Sequence, residues 1–387
     1  MPIPLRHIEI SGYRSLRRVR FPVDRLTVFV GPNGSGKTNL YRALELLQAA
    51  AAGDLARMLA AEGGMESALW TGQRRRQEPA RIALKAGFGS TPGENADHSY
   101  EVEVGVVHSY ETEIGLRIPT AAAFPLEPQI KEETLLHYHR GRARKILERR
   151  GPAASARDLD DNWSTLGTEL LASETALAAI EDIARYPDIC AIRRTMLDWR
   201  FYHEMRTDRE APLRRPCLAV AAPTLTSDGA NLAAVFATLT HIREDRADLD
   251  AAIADAFPGA ELVVPVPGRT ANFGLIFPEH PKRVFEASEL SDGTLRYLAL
   301  MGALLAYRLP TFVALNEPEA SLHPNLLDAL ARLIVRASER TQVWLVTHSR
   351  ALADALARAG KLDALTVLKR NGETSIAGNN DAAEEDE

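Results

Sequence analysis

The stretch that decides the fold is LTVFV over residues 26–30, running into Gly31-Pro32-Asn33-Gly34-Ser35-Gly36-Lys37-Thr38. It fits G-x-x-x-x-G-K-[ST], with a short apolar, β-branched run before it. After it, Leu40, Leu44 and Leu47 recur three to four residues apart and predict a helix beginning near Lys37. The glycines let the backbone curl so that N–H groups point inward at phosphate oxygens, backed by the helix N-terminus. Asn33, Gly34, Ser35, Gly36, Lys37 and Thr38 are therefore the nucleotide-binding candidates. Lys37 would place its cation between β- and γ-phosphates, and the Thr38 hydroxyl can ligate Mg2+. A glycine-rich turn with a surface lysine would explain the glycines, but not the strand and helix that flank them.

Upstream, Ile3 to Ile10 alternates loosely and Leu16 to Phe21 follows a Ser-Gly break, predicting two strands. Downstream, residues 79–150 alternate in EPARIALKAGF, HSYEVEVGVV and QIKEETLLHY, with a polar hairpin loop over Gly89 to Asp97. Helical patterning is expected from Ser155 to about Phe257, interrupted by the Pro- and Arg-rich Thr207 to Pro223. Short strands follow at Glu261 to Val266 and Phe273 to Phe277, then a helix after Ser291 and the apolar strand Thr311 to Leu315. Beyond Pro324 an amphipathic helix carries Leu326, Leu330 and Leu333 on one face. Val343 to Thr347 reads as a buried strand, Leu365 to Arg370 as an edge strand, and the acidic tail as disordered.

Composition narrows the function classes. The 387 residues are 45% hydrophobic and 25% charged, with 46 basic against 52 acidic side chains and a net charge of −6. That balance provides no global positive field for nucleic acid, so any such contact needs a local patch. Two cysteines, Cys190 and Cys217, exclude a disulfide scaffold and a cysteine-built zinc site. The longest apolar run, Tyr297 to Tyr307, is short of the roughly 18 residues that a membrane span needs, and MPIPLRHIEI lacks a signal-peptide core. A soluble, cytoplasmic protein with no membrane partner is expected. Arginine outnumbers lysine 39 to seven, as a GC-rich genome would produce.

Three further motifs carry chemistry. The strand Thr311 to Leu315 ends in Asn316-Glu317-Pro318-Glu319, and carboxylates at a strand end beside a phosphate loop are the Walker B arrangement. Glu317 is the candidate general base and Asn316 the candidate metal-shell residue, although a helix with an acid-rich first turn would look similar. Glu289-Leu290-Ser291-Asp292-Gly293-Thr294 precedes an apolar helix. Ser291 and Asp292 are capping residues, or else Ser291, Asp292 and Gly293 present a second phosphate-binding surface. His348 follows the strand VWLVT, where a sensor of the γ-phosphate would sit.

The order of P-loop, long insertion, LSDGT, strand-Asn-Glu-Pro-Glu and strand-Thr-His-Ser resembles the ABC-type ATPase heads of the RecF and structural-maintenance-of-chromosomes group. Within it, the chain looks most like the compact bacterial RecF-like AAA-family ATPases. The resemblance implies an α/β P-loop NTPase, a two-lobed head with an antiparallel β subdomain. Residues 1–150 and 305–379 would form lobe I, 151–304 a helical lobe II ending in the signature helix, and 380–387 the tail. It makes Glu317, His348 and Lys37 catalytic and brings Arg14, in HIEISGYRSL, toward the nucleotide. It also implies that Ser291 and Gly293 reach ATP held by a partner subunit, so that an ATP-gated homodimer forms.

The sequence departs from the family where the Walker B aspartate is Asn316, where LSDGT replaces LSGGQ, and in having no long heptad arms. Asn316 brings no charge, so weaker Mg2+ binding and slow ATP hydrolysis are expected. The Mg2+-sensing glutamine is not evident, with Gln129 and Glu133 as weak candidates. DNA is the first expected macromolecular partner, in repair or maintenance. The alternative is a switch for an effector protein such as a nuclease in antiviral defence. A P-loop kinase or GTPase is disfavoured, since no Asn-Lys-x-Asp motif occurs and LSDGT would go unexplained.

Two further clusters have plainer readings. Trp199-Arg200-Phe201-Tyr202-His203 with Arg206, Arg209, Arg214 and Arg215 mixes aromatic and basic groups, as nucleic-acid contacts do, but a buried aromatic patch with solvated arginines is the simpler reading. His137 and His139 share one face of a strand, yet the sequence offers no third ligand, so surface histidines are expected there.

Overall fold

The computed structural model describes residues 3–73, 79–89, 107–116, 124, 126–140, 142–166, 170–203, 205–242 and 246–377. Most of the loop expected over Gly89 to Asp97, most of HSYEVEVGVV and the acidic tail lie outside them. By contacts the chain forms two compact units: Met1–Asp24 with Gly31–Trp199 and Leu365–Glu387, and Arg25–Val30 with Arg200–Ala364.

The first unit is built on an antiparallel sheet. Its strands are β1 (Leu5–Tyr13), β2 (Leu16–Pro22), β4 (Arg81–Phe88), β5 (His108–Gly115), β6 (Gln129–His139), β7 (Arg142–Arg150), β8 (Ala153–Arg157) and β9 (Trp163–Leu166). They pair in the order β2-β1-β4-β5-β6-β7-β8-β9; β3 (Leu26–Val30) belongs to the other unit. Gly12 in β1 has φ +74°, and a Cβ there would stand 2.0 Å from the Arg81 carbonyl oxygen, so the β1–β4 approach requires glycine. β8 and β9 correct the helical reading that began at Ser155. Ala154 and Ala156 are buried while Ala153 is exposed and Ser155 and Arg157 are only partly covered, a period of two that places the segment on the sheet. Residues 151–199 accordingly group with the first unit.

Helix α1 (Lys37–Ala52) buries Leu40, Tyr41, Leu44 and Leu47. Gln48 Nε2 donates to the Trp199 carbonyl at 2.8 Å, and Arg193 Nε to the Ala51 carbonyl at 3.2 Å, tying α1 to the helix Pro187–Asp198. Leu365–Arg370, expected at a sheet edge, carries a further antiparallel strand, Glu373–Ala377.

The second unit contains four parallel strands in the order Arg200–Tyr202, Phe312–Asn316, Gln342–Thr347 and β3. Phe312 to Asn316 is buried at every position, as interior strands of a parallel sheet are. Asn316 is level with Val346, and Thr347 with Val30, so these strands end together at their C-terminal edge. The chain leaves β3 at that edge and enters the glycine loop and α1, the strand–loop–helix connection of a P-loop NTPase. The helices Asp292–Leu305, Leu327–Ser338 and Arg350–Gly360 complete the unit's core.

Glu133, one of the weak candidates for sensing Mg2+, is instead an internal anchor. It is fully buried and accepts from the Ala176 and Leu177 amides at 2.6 and 2.9 Å and from the Tyr110 hydroxyl at 3.0 Å. Gln129 accepts from Lys131 Nζ at 3.0 Å. Replacing Glu133 with alanine strands three buried donors, so Glu133→Ala should cost roughly 2–4 kcal/mol in urea unfolding, with ATP affinity unchanged in the folded protein. A loss under about 1 kcal/mol would show that these donors find other acceptors.

Candidate nucleotide-binding site

The loop 31–38 folds as its glycines require. Gly34 and Gly36 have φ of +77° and +101°, and a Cβ on Gly36 would stand 2.0 Å from Thr374 Oγ1 and 2.8 Å from Ser15 Oγ. Those two hydroxyls lie 2.7 Å apart, Thr374 Oγ1 also donates to the Ser35 carbonyl at 2.9 Å, and Asn39 Nδ2 donates to Ser15 Oγ at 2.7 Å. The helix start is thus clamped from behind by the β1–β2 turn and the strand Glu373–Ala377, both of the first unit. Lys37 is buried and its Nζ curls back to the Gly31 and Pro32 carbonyls at 2.8 and 2.9 Å. Ser35 Oγ is buried with no hydrogen-bond partner, Thr38 is exposed, and Gly36 leaves α1 without a side-chain cap. The loop therefore presents helix-terminal N–H groups, a hydroxyl and a lysine that can exchange carbonyl partners for phosphate oxygens. Arg14, at φ +50°, lies 2.8 Å from Glu62 Oε2, which also accepts from Tyr13 at 2.7 Å. It is Ser15, the next residue, that touches the helix start.

At the end of Phe312–Asn316, the Asn316 amide nitrogen donates to His203 Nδ1, and Asn316 Oδ1 is left buried without a partner. Glu317 follows at φ +47° with its side chain partly exposed, and its amide donates to the Val346 carbonyl at 2.9 Å. Glu319 is buried. Its Oε1 accepts from the Thr347 hydroxyl at 2.5 Å and from the His348 and Ser349 amides at 3.3 Å each. His348 Nδ1 stands 3.4 Å from an oxygen of Glu317 and 3.4 Å from one of Glu319. The second unit thus brings together Asn316, Glu317, Glu319 and His348. An uncompensated buried amide oxygen is a fitting acceptor for metal-bound water, as Mg2+ coordination requires.

Ser291 caps the helix Asp292–Leu305, its Oγ accepting from the Thr294 amide at 3.2 Å. Gly293 packs so closely that a Cβ would lie 2.9 Å from the Ser321 carbonyl. Arg214, counted in the sequence among cations for nucleic acid, is an internal strut. Its guanidinium donates to the Leu290 carbonyl at 2.7 Å, the Ser288 carbonyl at 3.2 Å and Asp292 Oδ1 at 2.6 Å. Ser291 and Asp292 themselves are exposed.

The aromatic-and-basic cluster resolves toward its plainer reading. Trp199, Phe201 and Tyr202 are buried; Arg206 pairs with Asp208 and Arg215 with Glu210. Sequence reasoning missed His203 as the partner of Asn316 and Arg214 as the support of the LSDGT turn. Both contacts link residues more than 70 positions apart, and neither has a local signal.

A family model described as "AAA domain, putative AbiEii toxin, Type IV TA system" matches residues 26–354. The DNA replication and repair protein RecF of Streptomyces avermitilis is 50% identical over 42 residues, 11% of this chain, and the match spans only 11% of that relative's length. Among solved structures, the SMC head domain from Thermotoga maritima is 15% identical over 96% of this chain and 98% of its own, with a TM-score of 0.48. The SmcHead bound to the C-winged helix domain of ScpA is 14% identical over 96% and 97%, also at 0.48. Among the described residues, no helix is long and apolar enough to cross a membrane.

The clamp behind Gly36 makes a direct prediction. Gly36→Ala must give up the left-handed backbone or displace Thr374, so it should destabilise the protein by about 1–3 kcal/mol and weaken ATP binding. Thermal melts and calorimetry check this, and an unchanged melting midpoint would show that the loop is not held as described.

Proposed function

The chain belongs to this AAA-domain family of P-loop ATPases, and on that premise we propose that it hydrolyses ATP to open and close a head-to-tail dimer associated with DNA. The observation that carries the reading is the alignment of strand ends in the second unit. β3 ends level with the strands that bear Asn316, Glu317 and Thr347-His348, and the phosphate-binding loop follows β3 directly. Asn33 to Thr38 bind the phosphates, with Lys37 on the β- and γ-oxygens and Arg14 toward the nucleotide. The Thr38 hydroxyl and Asn316 Oδ1 are the groups that would hold Mg2+, whose charge offsets that of the phosphate oxygens. Glu317 takes a proton from the attacking water and His348 senses the γ-phosphate. Because Asn316 is neutral, turnover is slow.

Exposure of Ser291 and Asp292 supports their use by a second copy. One observation favours a second reading. The net charge is negative, and Arg206, Arg214 and Arg215 are already engaged within the chain, which fits a switch for an effector protein better than a DNA clamp. Gel shifts with single-stranded, double-stranded and gapped DNA separate the two. Salt-sensitive binding that changes with ATP supports DNA; its absence supports the effector.

Glu317→Gln retains shape but loses the base, so hydrolysis should fall roughly 10²–10⁴-fold with ATP affinity nearly unchanged. The variant should elute as a dimer in ATP and Mg2+ and as a smaller species without them, and adding Ser291→Arg should return it to the smaller species. A Glu317→Gln protein that stays monomeric in saturating ATP would falsify the head-to-tail dimer. Asn316→Asp adds a charge at the metal shell and should lower the Mg2+ concentration for half-maximal turnover and raise the rate. A superimposable magnesium titration would remove Asn316 from that shell.

A further inference from the structure

The third ligand that the sequence does not offer to His137 comes from the fold. β5 and β6 pair in a register that sets His108 directly opposite His137, and the helix Pro187–Asp198 places Asp188 beside them in its first turn. His108 Nε2 lies 3.1 Å from His137 Nδ1, and His137 Nδ1 lies 3.4 Å from Asp188 Oδ2. All three donor atoms fall within 4.8 Å of one another. Zn2+ holds imidazole nitrogen and carboxylate oxygen at about 2.0–2.2 Å in a tetrahedron, which puts neighbouring donors about 3.3–3.5 Å apart. Two of the three spacings are already close to that range. His139, on the same face of β6, is outside the donor group.

We propose that His108, His137 and Asp188 form a three-ligand site for a divalent transition metal, Zn2+ in the first place, made of none of the residues read as nucleotide-binding. Two imidazoles and one carboxylate select such a metal over Mg2+ or Ca2+, which prefer oxygen shells. His108 Nε2 already faces the other two donor atoms. In the metal-free chain one of the two facing nitrogens must carry a proton for the 3.1 Å contact to be a hydrogen bond, and the cation takes that proton's place. Asp188 and His137 are partly exposed while His108 is buried, so the cation enters from solvent and a water completes the fourth position. His108 Nδ1 is buried without an acceptor to orient the ring, so affinity should fall below that of sites with such support. The bound ion would clamp β5 and β6 to the start of the helix.

The test uses the full, untagged chain, stripped with chelator and free of nucleotide. Calorimetry with Zn2+ should find about one site per chain, and Co2+ should give the visible absorption of a tetrahedral site. Excess Zn2+ should raise the melting midpoint by roughly 5 °C. Asp188→Asn and His137→Gln, both at accessible positions, should each remove the stoichiometric uptake and the thermal shift, whereas Thr38→Ala should retain them. Circular dichroism of the metal-free variants checks the fold, and if one fails the other decides. No Zn2+ uptake by the unaltered chain, or uptake that survives in a folded variant, overturns the site.

Discussion

The buried carboxylate of Glu319 is the contact on which the arrangement of the loops at the strand ends of the second unit depends. It sits after one parallel strand and accepts from the Thr347 hydroxyl at the end of the next and from the His348 and Ser349 amides just beyond it. All three donors reach Oε1, while Oε2 is buried without one, and hydrogen bonds to a charged acceptor are about twice as strong as neutral ones. The interaction therefore fixes the relative position of two loops that strand pairing alone would leave free beyond Asn316 and Thr347. Glu317 is caught between them. Its amide is held by the Val346 carbonyl and its backbone is in the left-handed region, an unfavourable state for a residue with a side chain. Its carboxylate is turned instead toward His348 and solvent.

Much of this was legible in local sequence, and the boundary of legibility has a physical basis. The loop could be read because each of its glycines answers a backbone requirement, and the Gly36 clash with Thr374 and Ser15 states that requirement in ångströms. Ser291 could be read as a cap because capping reaches only three residues. The strands β8 and β9 could not. Ala-Ala-Ser-Ala-Arg has helical propensity, and pairing with β7 and β9 makes it a strand. His203, Arg214 and His108 were equally silent, since each acquires its partner through sheet register or through a turn packed from far along the chain. Where a function rests on such a meeting, as in the His108–His137–Asp188 group, composition had pointed the other way.

The pairing of Asn316 with His203 bears on what the missing Walker B aspartate means. An amide has one face that donates and one that accepts, and His203 Nδ1 takes the donating face. With Nδ1 accepting, Asn316 Oδ1 is the atom left without a partner. His203 must carry its proton on Nε2 for Nδ1 to accept. With aspartate at 316, the atom facing His203 would be an oxygen, and the imidazole could meet it only as an Nδ1–H donor. One side chain can serve both cases by shifting a proton between its ring nitrogens. The histidine therefore makes the neutral residue a stable alternative to the charged one, holding the same geometry around a weaker electrostatic centre.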